Sequence, residues 1–332
     1  MGFRLKRLKR TYDRKPIAAH LYVTDRCNLD CFYCTEFDNS VPHPSLENLR
    51  QWIRKIHELG CIRLGIQGGE PLLHPDIVEI VRYSKSLGLR TSLSTNGFKL
   101  TSELVAGFES AGLDSLQISV DRMTPIPSTR KSLKTIIPKL ELLNGSKLRY
   151  NITGVLFKET IQEAQEVVDY GLSNGIPTHV RVVHAGPTGA FAVDTGEKEA
   201  LEAVIDFQAQ AKQQGAKVHS SHNLLAYEKA LLNGEAVDWT CLAGYKYFFV
   251  TAKGKFWLCS MQRQPNIHIM EVTPALLQSY FYKKDCQDGC GVYCVVSESL
   301  FNHHPGQFLL REVHAHLKTQ MACLQAKLTS TG

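Results

Sequence analysis

Between Pro16 and about residue 215, short apolar β-prone runs alternate six times with segments of helical spacing. Ile17 to Val23, Cys61 to Ile66, Leu89 to Ser94, Leu116 to Val120, Leu148 to Phe157 and His179 to Val183 read as strands. Leu46 to Leu59, Pro75 to Leu87, Thr101 to Ala111, Ser128 to Leu143, Thr160 to Ser173 and Lys198 to Gln213 read as helices. Ser45 is a candidate N-cap, and Pro138 sits where it can kink the fourth helix. Regular strand–helix alternation predicts an α/β fold with a parallel sheet. Six repeats in about 200 residues fall short of the roughly 250 of a full eight-unit barrel. The expectation is therefore a partial (β/α)6 TIM-like barrel over 17–218, preceded by a basic tail at 1–16 and followed by a small C-terminal domain at 219–332. In such a fold the chemistry gathers on loops at the carboxyl ends of the strands.

The first of those loops carries "CNLDCFYC", with Cys27, Cys31 and Cys34 separated by three and then two residues. Three thiols are an odd number for a disulfide framework and one short of a closed four-ligand site. Three thiolates can hold three irons of a cubane [4Fe–4S] cluster and leave the fourth iron open to a substrate or cofactor. A zinc site completed by a distant His or Cys is the other reading.

Cys-x3-Cys-x2-Cys after the first strand of a βα repeat resembles the radical S-adenosylmethionine (SAM) superfamily. "QGGEP" at 67–71 follows the second strand and is similar to that family's GGE motif. "STNG" at 94–97 and "SVD" at 119–121 end the third and fourth strands. The resemblance implies that SAM binds the open iron through its amino and carboxylate groups and is cleaved reductively to a 5′-deoxyadenosyl radical. That radical abstracts a hydrogen atom from substrate. It also implies cofactor contacts from Gly68, Gly69 and Glu70 to the SAM amino group and from Tyr33 to adenine. Ser94, Asn96, Ser119 and Asp121 would face the ribose and carboxylate. Each of these last four can equally be a helix cap or turn former.

After about residue 218 the texture changes, and Cys241, Cys259, Cys286, Cys290 and Cys294 fall within 54 residues. "YKYFFVTAKGKFWLC" between the first two reads as two short strands around a Lys253-Gly254 turn. Cys241, twelve residues, Gly254, four residues and Cys259 resemble the opening of the auxiliary-cluster extension called SPASM or twitch. Only three further cysteines follow in "CQDGCGVYC", so the resemblance implies the shorter arrangement, with one auxiliary [4Fe–4S] cluster and one spare thiol. Cys323 would be a late ligand in a tail, Gly306 to Leu328, that reads as helical. A structural zinc knot is the alternative.

Other titratable groups carry less. Cys61 reads as a buried thiol at the start of the second strand. Arg181 and His184, in or just after the sixth strand, can face substrate or serve structure. Cys286, Cys294 and His184 are the candidates for groups acting on substrate, a spare thiol being suited to donate a hydrogen atom.

Composition narrows the setting. No run approaches the roughly 18 apolar residues of a membrane span, and Met1 to Arg10 has no apolar core behind its charges. Ten cysteines without a signal peptide favour metal or redox roles in the cytoplasm over disulfides. The net charge is +6, and Arg4, Lys6, Arg7, Lys9 and Arg10 supply much of it. They form a solvated tail, or a weak contact for an anionic membrane surface or acidic partner. No nucleic-acid motif is present. The expected activity is radical-based oxidation, dehydrogenation or rearrangement of a small metabolite or lipid-like substrate, driven by an external electron donor such as flavodoxin or ferredoxin. The alternatives are an epimerase, a peptide-modifying enzyme, and a non-enzymatic iron–sulfur or zinc scaffold.

Overall fold

In the computed structural model, which describes residues 3–183, 196–315 and 317, the strand–helix alternation is present six times. The chain folds into two compact units, each made of discontinuous stretches. The first joins 1–119, 124–150 and 241–283; the second joins 120–123, 151–240 and 284–332. This division cuts across the linear boundary at 218, because the hairpin after Cys241 belongs with the first four strands.

In the first unit, β1 (Ala18–Tyr22), β2 (Arg63–Gln67), β3 (Arg90–Thr95) and β4 (Ser115–Ser119) pair in parallel in that order. Ala18, Ala19, Leu21 and Tyr22 of β1 are all buried, as expected of a strand covered on both faces. Helix α2 (Leu46–Glu58) starts where Ser45 Oγ accepts the Asn48 amide at 3.2 Å. It buries Leu49, Trp52, Ile53 and Ile56, one stripe at helical spacing. Helices α3 (Ile77–Ser86) and α4 (Ser102–Ala111) follow β2 and β3. Thr101 caps α4 through the Leu104 amide.

Strand β5 (Tyr150–Leu156) pairs in parallel with β6 (Thr178–Val182). In the second unit, α6 (Ile161–Ser173), α7 (Lys198–Gln213) and α8 (His222–Leu232) pack over a core that includes Leu156, Val168, Val180 and Ile205. A short helix α9 (Pro274–Ser279) lies in the first unit, and α10 (Tyr293–His303) completes the second. The fold is α/β with a parallel-rich sheet, a partial TIM-like barrel.

Three elements differ from expectation. The N-terminal segment is a helix, α1 (Phe3–Tyr12), rather than a frayed tail. Its C-terminal end is held by the buried Lys246 ammonium, which donates to the carbonyls of Arg10 at 2.6 Å and Lys15 at 3.1 Å, and to that of Asp13. The helix expected from Ser128 begins at Leu133, as α5 (Leu133–Glu141), with Ser132 at its N-cap position. Residues 124–132 instead form a loop closed by a bridge between Ile126 and Thr129. Two prolines in "TPIPS" favour extended backbone there. Finally, the C-terminal hairpin of β7 (Tyr247–Val250) and β8 (Lys255–Trp257) is not separate from the barrel sheet. Strand β7 runs parallel to β1, Ala18 opposite Tyr247, and β9 (Pro265–His268) follows β8. His20 of β1 packs edge-on against Tyr247 and Phe249, at ring separations of 5.0 and 5.2 Å.

Candidate metal and cofactor site

The carboxyl ends of β1 to β4 meet at a cavity of about 170 Å³ in the first unit. Cys27, Cys31 and Cys34 line it together with Gly68, Gly69 and Glu70. Ser94, Asn96, Ser119 and Lys131 line it too. Tyr33 is not among the lining residues.

Backbone packing between two loops builds this cavity. The Gly69 amide donates to the Thr24 carbonyl at 2.9 Å, and the Glu70 amide to the Arg26 carbonyl at 2.8 Å. A Cβ at Gly68 would overlap the Thr24 carbonyl oxygen, and one at Gly69 the Arg26 carbonyl oxygen. Gly68 also has φ +150°, which side-chain-bearing residues rarely adopt. The glycine pair thus lets the turn after β2 lie directly on the backbone that leads into Cys27.

Glu70 is 1% exposed. Its carboxylate accepts the Leu72 amide at 3.0 Å, the Thr95 hydroxyl at 2.6 Å and the Asn96 amide at 2.7 Å. Burial raises its pKa, and those three donors pull the other way. Asn96 donates from its side chain to Asn28 Oδ1 at 2.9 Å, with Cys27 Sγ 4.0 Å away. The Cys27 amide donates to Asn39 Oδ1 at 2.9 Å, and the Cys34 amide to the Cys31 carbonyl at 2.9 Å. The cysteine loop is fixed from both sides before any metal arrives.

Two features of the site escaped the sequence reading. Lys131 arrives on the 124–132 loop, which docks on the cysteine loop through a 2.9 Å bond from the Phe32 amide to the Ser128 carbonyl. Its ammonium donates to the Tyr33 hydroxyl at 2.8 Å and lies 5.0 Å from the centre of that ring. The prolines of "TPIPS" were the available signal that this stretch is a loop. Arg263, between β8 and β9, donates to Glu36 Oε1 at 2.8 Å and Thr35 Oγ1 at 3.2 Å. Burial raises the Glu36 pKa, opposed first by Arg263. Nothing local in the sequence pairs residues 227 apart.

The donor set fits a cubane cluster with one open iron. Three thiols share one cavity wall, and among the described residues lining it there is no fourth cysteine. Burial pushes the Cys27 thiol up to about 11 and raises Cys34 as well, with Lys131 opposing both. A metal ion can replace the thiol protons here, and the Lys131 cation would offset the negative charge that follows.

The remaining candidates fall in different places. Cys241 and Cys259 are buried in the first unit, on either side of the β7–β8 hairpin. Cys286, Cys290 and Cys294 belong to the second unit, where they are exposed, buried and half-buried. The Tyr227 hydroxyl donates to the Cys290 carbonyl at 2.8 Å. Asp121, also in the second unit, accepts the Val155 amide at 3.2 Å. Arg181 is half-buried, with its guanidinium 3.8 Å from the centre of the Tyr293 ring. Cys61 is buried, and that burial raises its pKa strongly. His184 and Cys323 lie outside the described residues.

Residues 21–171 match the model of the Radical SAM superfamily. The chain is similar to the AdoMet-dependent heme synthase of Methanosarcina barkeri, at 26% identity over 261 residues, 71% of this chain and 74% of that protein. It is similar to the GTP 3′,8-cyclase of Limosilactobacillus fermentum, at 31% identity over 222 residues, 62% of this chain and 66% of that protein. Among solved structures, Streptococcus suis SuiB bound to precursor peptide SuiA superposes with a TM-score of 0.63 at 17% identity, over 87% of this chain and 69% of that one. The structure of anSMEcpe with bound AdoMet gives 0.61 at 16% identity, over 90% and 100%. At these identities the structural likeness is one of fold. With the thiol cavity at the carboxyl ends of its strands, residues 21–171 of this chain form a radical SAM domain.

Proposed function

We propose that this chain is a radical SAM enzyme that abstracts a hydrogen atom from a small-molecule substrate and oxidises or rearranges it. The observation that carries the reading is the meeting of three thiols with the Gly68–Glu70 turn on one cavity of about 170 Å³. Cys27, Cys31 and Cys34 would hold three irons of a [4Fe–4S] cluster. When bound, cluster and SAM supply an electron and a carbon-centred radical able to attack an unactivated C–H bond. The protein's part is to bind and orient. Residues 68–70, Ser94 and Ser119 line the cavity in which SAM would bind. Glu70 holds the turn after β3 in place through Thr95 and Asn96. An external one-electron donor such as flavodoxin or ferredoxin completes the system. Lys6 and Lys9 of α1 are exposed, as a weak contact with an anionic surface would need.

An auxiliary [4Fe–4S] cluster and a spare thiol for hydrogen donation are further proposals, supported by the resemblance of the Cys241-to-Cys259 spacing to the SPASM or twitch extension. Small-molecule chemistry stands first because the relatives at 26% and 31% identity are a heme synthase and a nucleotide cyclase. Peptide modification is the second reading, supported by fold likeness to a structure that holds a peptide.

Anaerobic reconstitution tests the proposal. The wild type should take up about eight irons, four per cubane. The Cys27→Ala/Cys31→Ala/Cys34→Ala variant should keep about four and lose all reductant-driven formation of 5′-deoxyadenosine. Undiminished SAM cleavage in that variant would place the cofactor elsewhere. A protein that takes up only zinc would sink the reading.

A further inference from the structure

Away from the cysteines, the second unit brings three ligand-type side chains to one point. Asp238 lies on the stretch after α8, His303 is the last residue of α10, and His304 follows it. One ligand atom from each lies within 4.8 Å of the other two. His304 Nε2 stands 3.2 Å from Asp238 Oδ2. That matches the edge, about 3.3 Å, of a tetrahedron with bonds of about 2.0 Å.

An ordinary surface ion pair between His304 and Asp238 does not account for His303. Its Nε2 lies 3.3 Å from the Thr240 hydroxyl. Its Nδ1 is buried and has no hydrogen-bond partner. Donation from Nε2 to Thr240 leaves the lone pair on Nδ1. A metal-bound imidazole has this arrangement, one nitrogen on the ion and the other fixed by an outer hydrogen bond. The ring centroids of His303 and His304 are 3.9 Å apart, so both imidazoles serve the same small volume.

We propose that Asp238, His303 and His304 form a site for a divalent transition-metal ion of the zinc type, with one coordination position left to water. Two imidazoles and one carboxylate suit such an ion better than magnesium or calcium, which favour oxygen ligands throughout. The ion would tie the stretch after α8 to the C-terminal end of α10, two segments more than sixty residues apart. Thr240 is a positioning residue that holds the His303 ring through Nε2.

The test uses the full chain, reconstituted with iron and then dialysed anaerobically against Zn²⁺, with both metals counted and the zinc X-ray absorption edge recorded. One zinc per chain should bind beyond the iron, with only nitrogen and oxygen in its first shell. The His303→Ala/His304→Ala variant should lose this zinc and keep its iron. Thr240→Val should keep the stoichiometry with affinity about tenfold weaker. Sulfur in the zinc shell, or a wild type that takes up no more zinc than the double variant, overturns the proposal. If the double variant also loses iron, Asp238→Asn decides, because that side chain is 87% exposed and its loss spares the fold. It should weaken zinc binding at least tenfold, and unchanged affinity overturns the site.

Discussion

The carboxylate of Glu70 accepts the backbone amide of Asn96 at 2.7 Å, in a place closed to water. Through this bond the turn after β2 holds the turn after β3, and the Asn96 side chain then reaches Asn28 beside Cys27. The GGE turn is therefore part of the frame around the cysteine loop as well as a wall of the thiol-lined cavity.

Glu70→Ala should consequently cost stability as well as SAM affinity. It leaves the Asn96 and Leu72 amides and the Thr95 hydroxyl without their acceptor. Unmade buried bonds of this kind cost about 1–3 kcal/mol each, so a loss of about 2–4 kcal/mol after partial relaxation is expected in urea unfolding. Glu70→Gln should fall between, because one oxygen still accepts while its amide NH2 confronts a donor. A Glu70→Ala protein as stable as wild type, with SAM affinity alone reduced, would leave only the cofactor role.

Much of this frame can be read along the chain, where local rules decide. Lys198–Gln213 spans its helix from end to end as its spacing predicts, and Ser45 and Thr101 cap the helices they precede. The order of cysteine loop, GGE turn and third-strand turn follows from strand–helix alternation alone. What sequence reasoning missed is non-local. Lys131, Arg263 and Lys246 each reach a partner more than ninety residues away. The pairing of β7 with β1 likewise depends on register between distant segments. The helix expected from Ser128 starts only at Leu133, because the bridge between Ile126 and Thr129 closes a loop across what would be its first turn.

Lys131→Met should make the cluster harder to reduce. The ammonium lies by the Tyr33 ring and favours the ionised forms of Cys27 and Cys34. Removing a half-buried cation from the cavity wall disfavours added negative charge, so the reduction potential should fall by on the order of tens of millivolts. A redox titration followed by electron paramagnetic resonance measures this directly. An unchanged potential would mean that Lys131 serves only to hold Tyr33.

Lys246→Met should free α1. The Lys246 side chain is 3% exposed and donates to carbonyls that the end of the helix leaves without intrahelical partners. Its removal should cost about 2–3 kcal/mol. Trypsin should then cut among Lys6, Arg7, Lys9 and Arg10 much faster, while iron content stays unchanged. Equal cleavage rates in variant and wild type would show that α1 is held by other contacts.

Glu228 of α8 should make stability fall as pH rises. It is 2% exposed, and burial pushes its pKa up to about 7, with Tyr293 and then Arg181 only partly offsetting that. The unfolded carboxylate releases its proton near the ordinary 4.5, and the folded one near 7. Between those values the native state holds a proton that the unfolded chain has lost. The stabilisation is therefore complete below about 4.5 and disappears as pH climbs to about 7. Glu228→Gln stays neutral throughout. Its stability relative to wild type should thus increase with pH by on the order of 3 kcal/mol across that window. His219 supplies the opposite sign. Burial, then Arg181 and Lys212, push it down to about 4. The native state gains stability from it as pH rises from about 4 to the ordinary 6.5. His219→Gln should accordingly lose ground to wild type over the same range. Urea unfolding of each variant beside wild type at matched pH checks both slopes, because cluster contributions common to variant and wild type cancel in the difference. A flat difference for Glu228→Gln would show that the carboxylate is already ionised in the folded protein, with Arg181 and Tyr293 outweighing its burial.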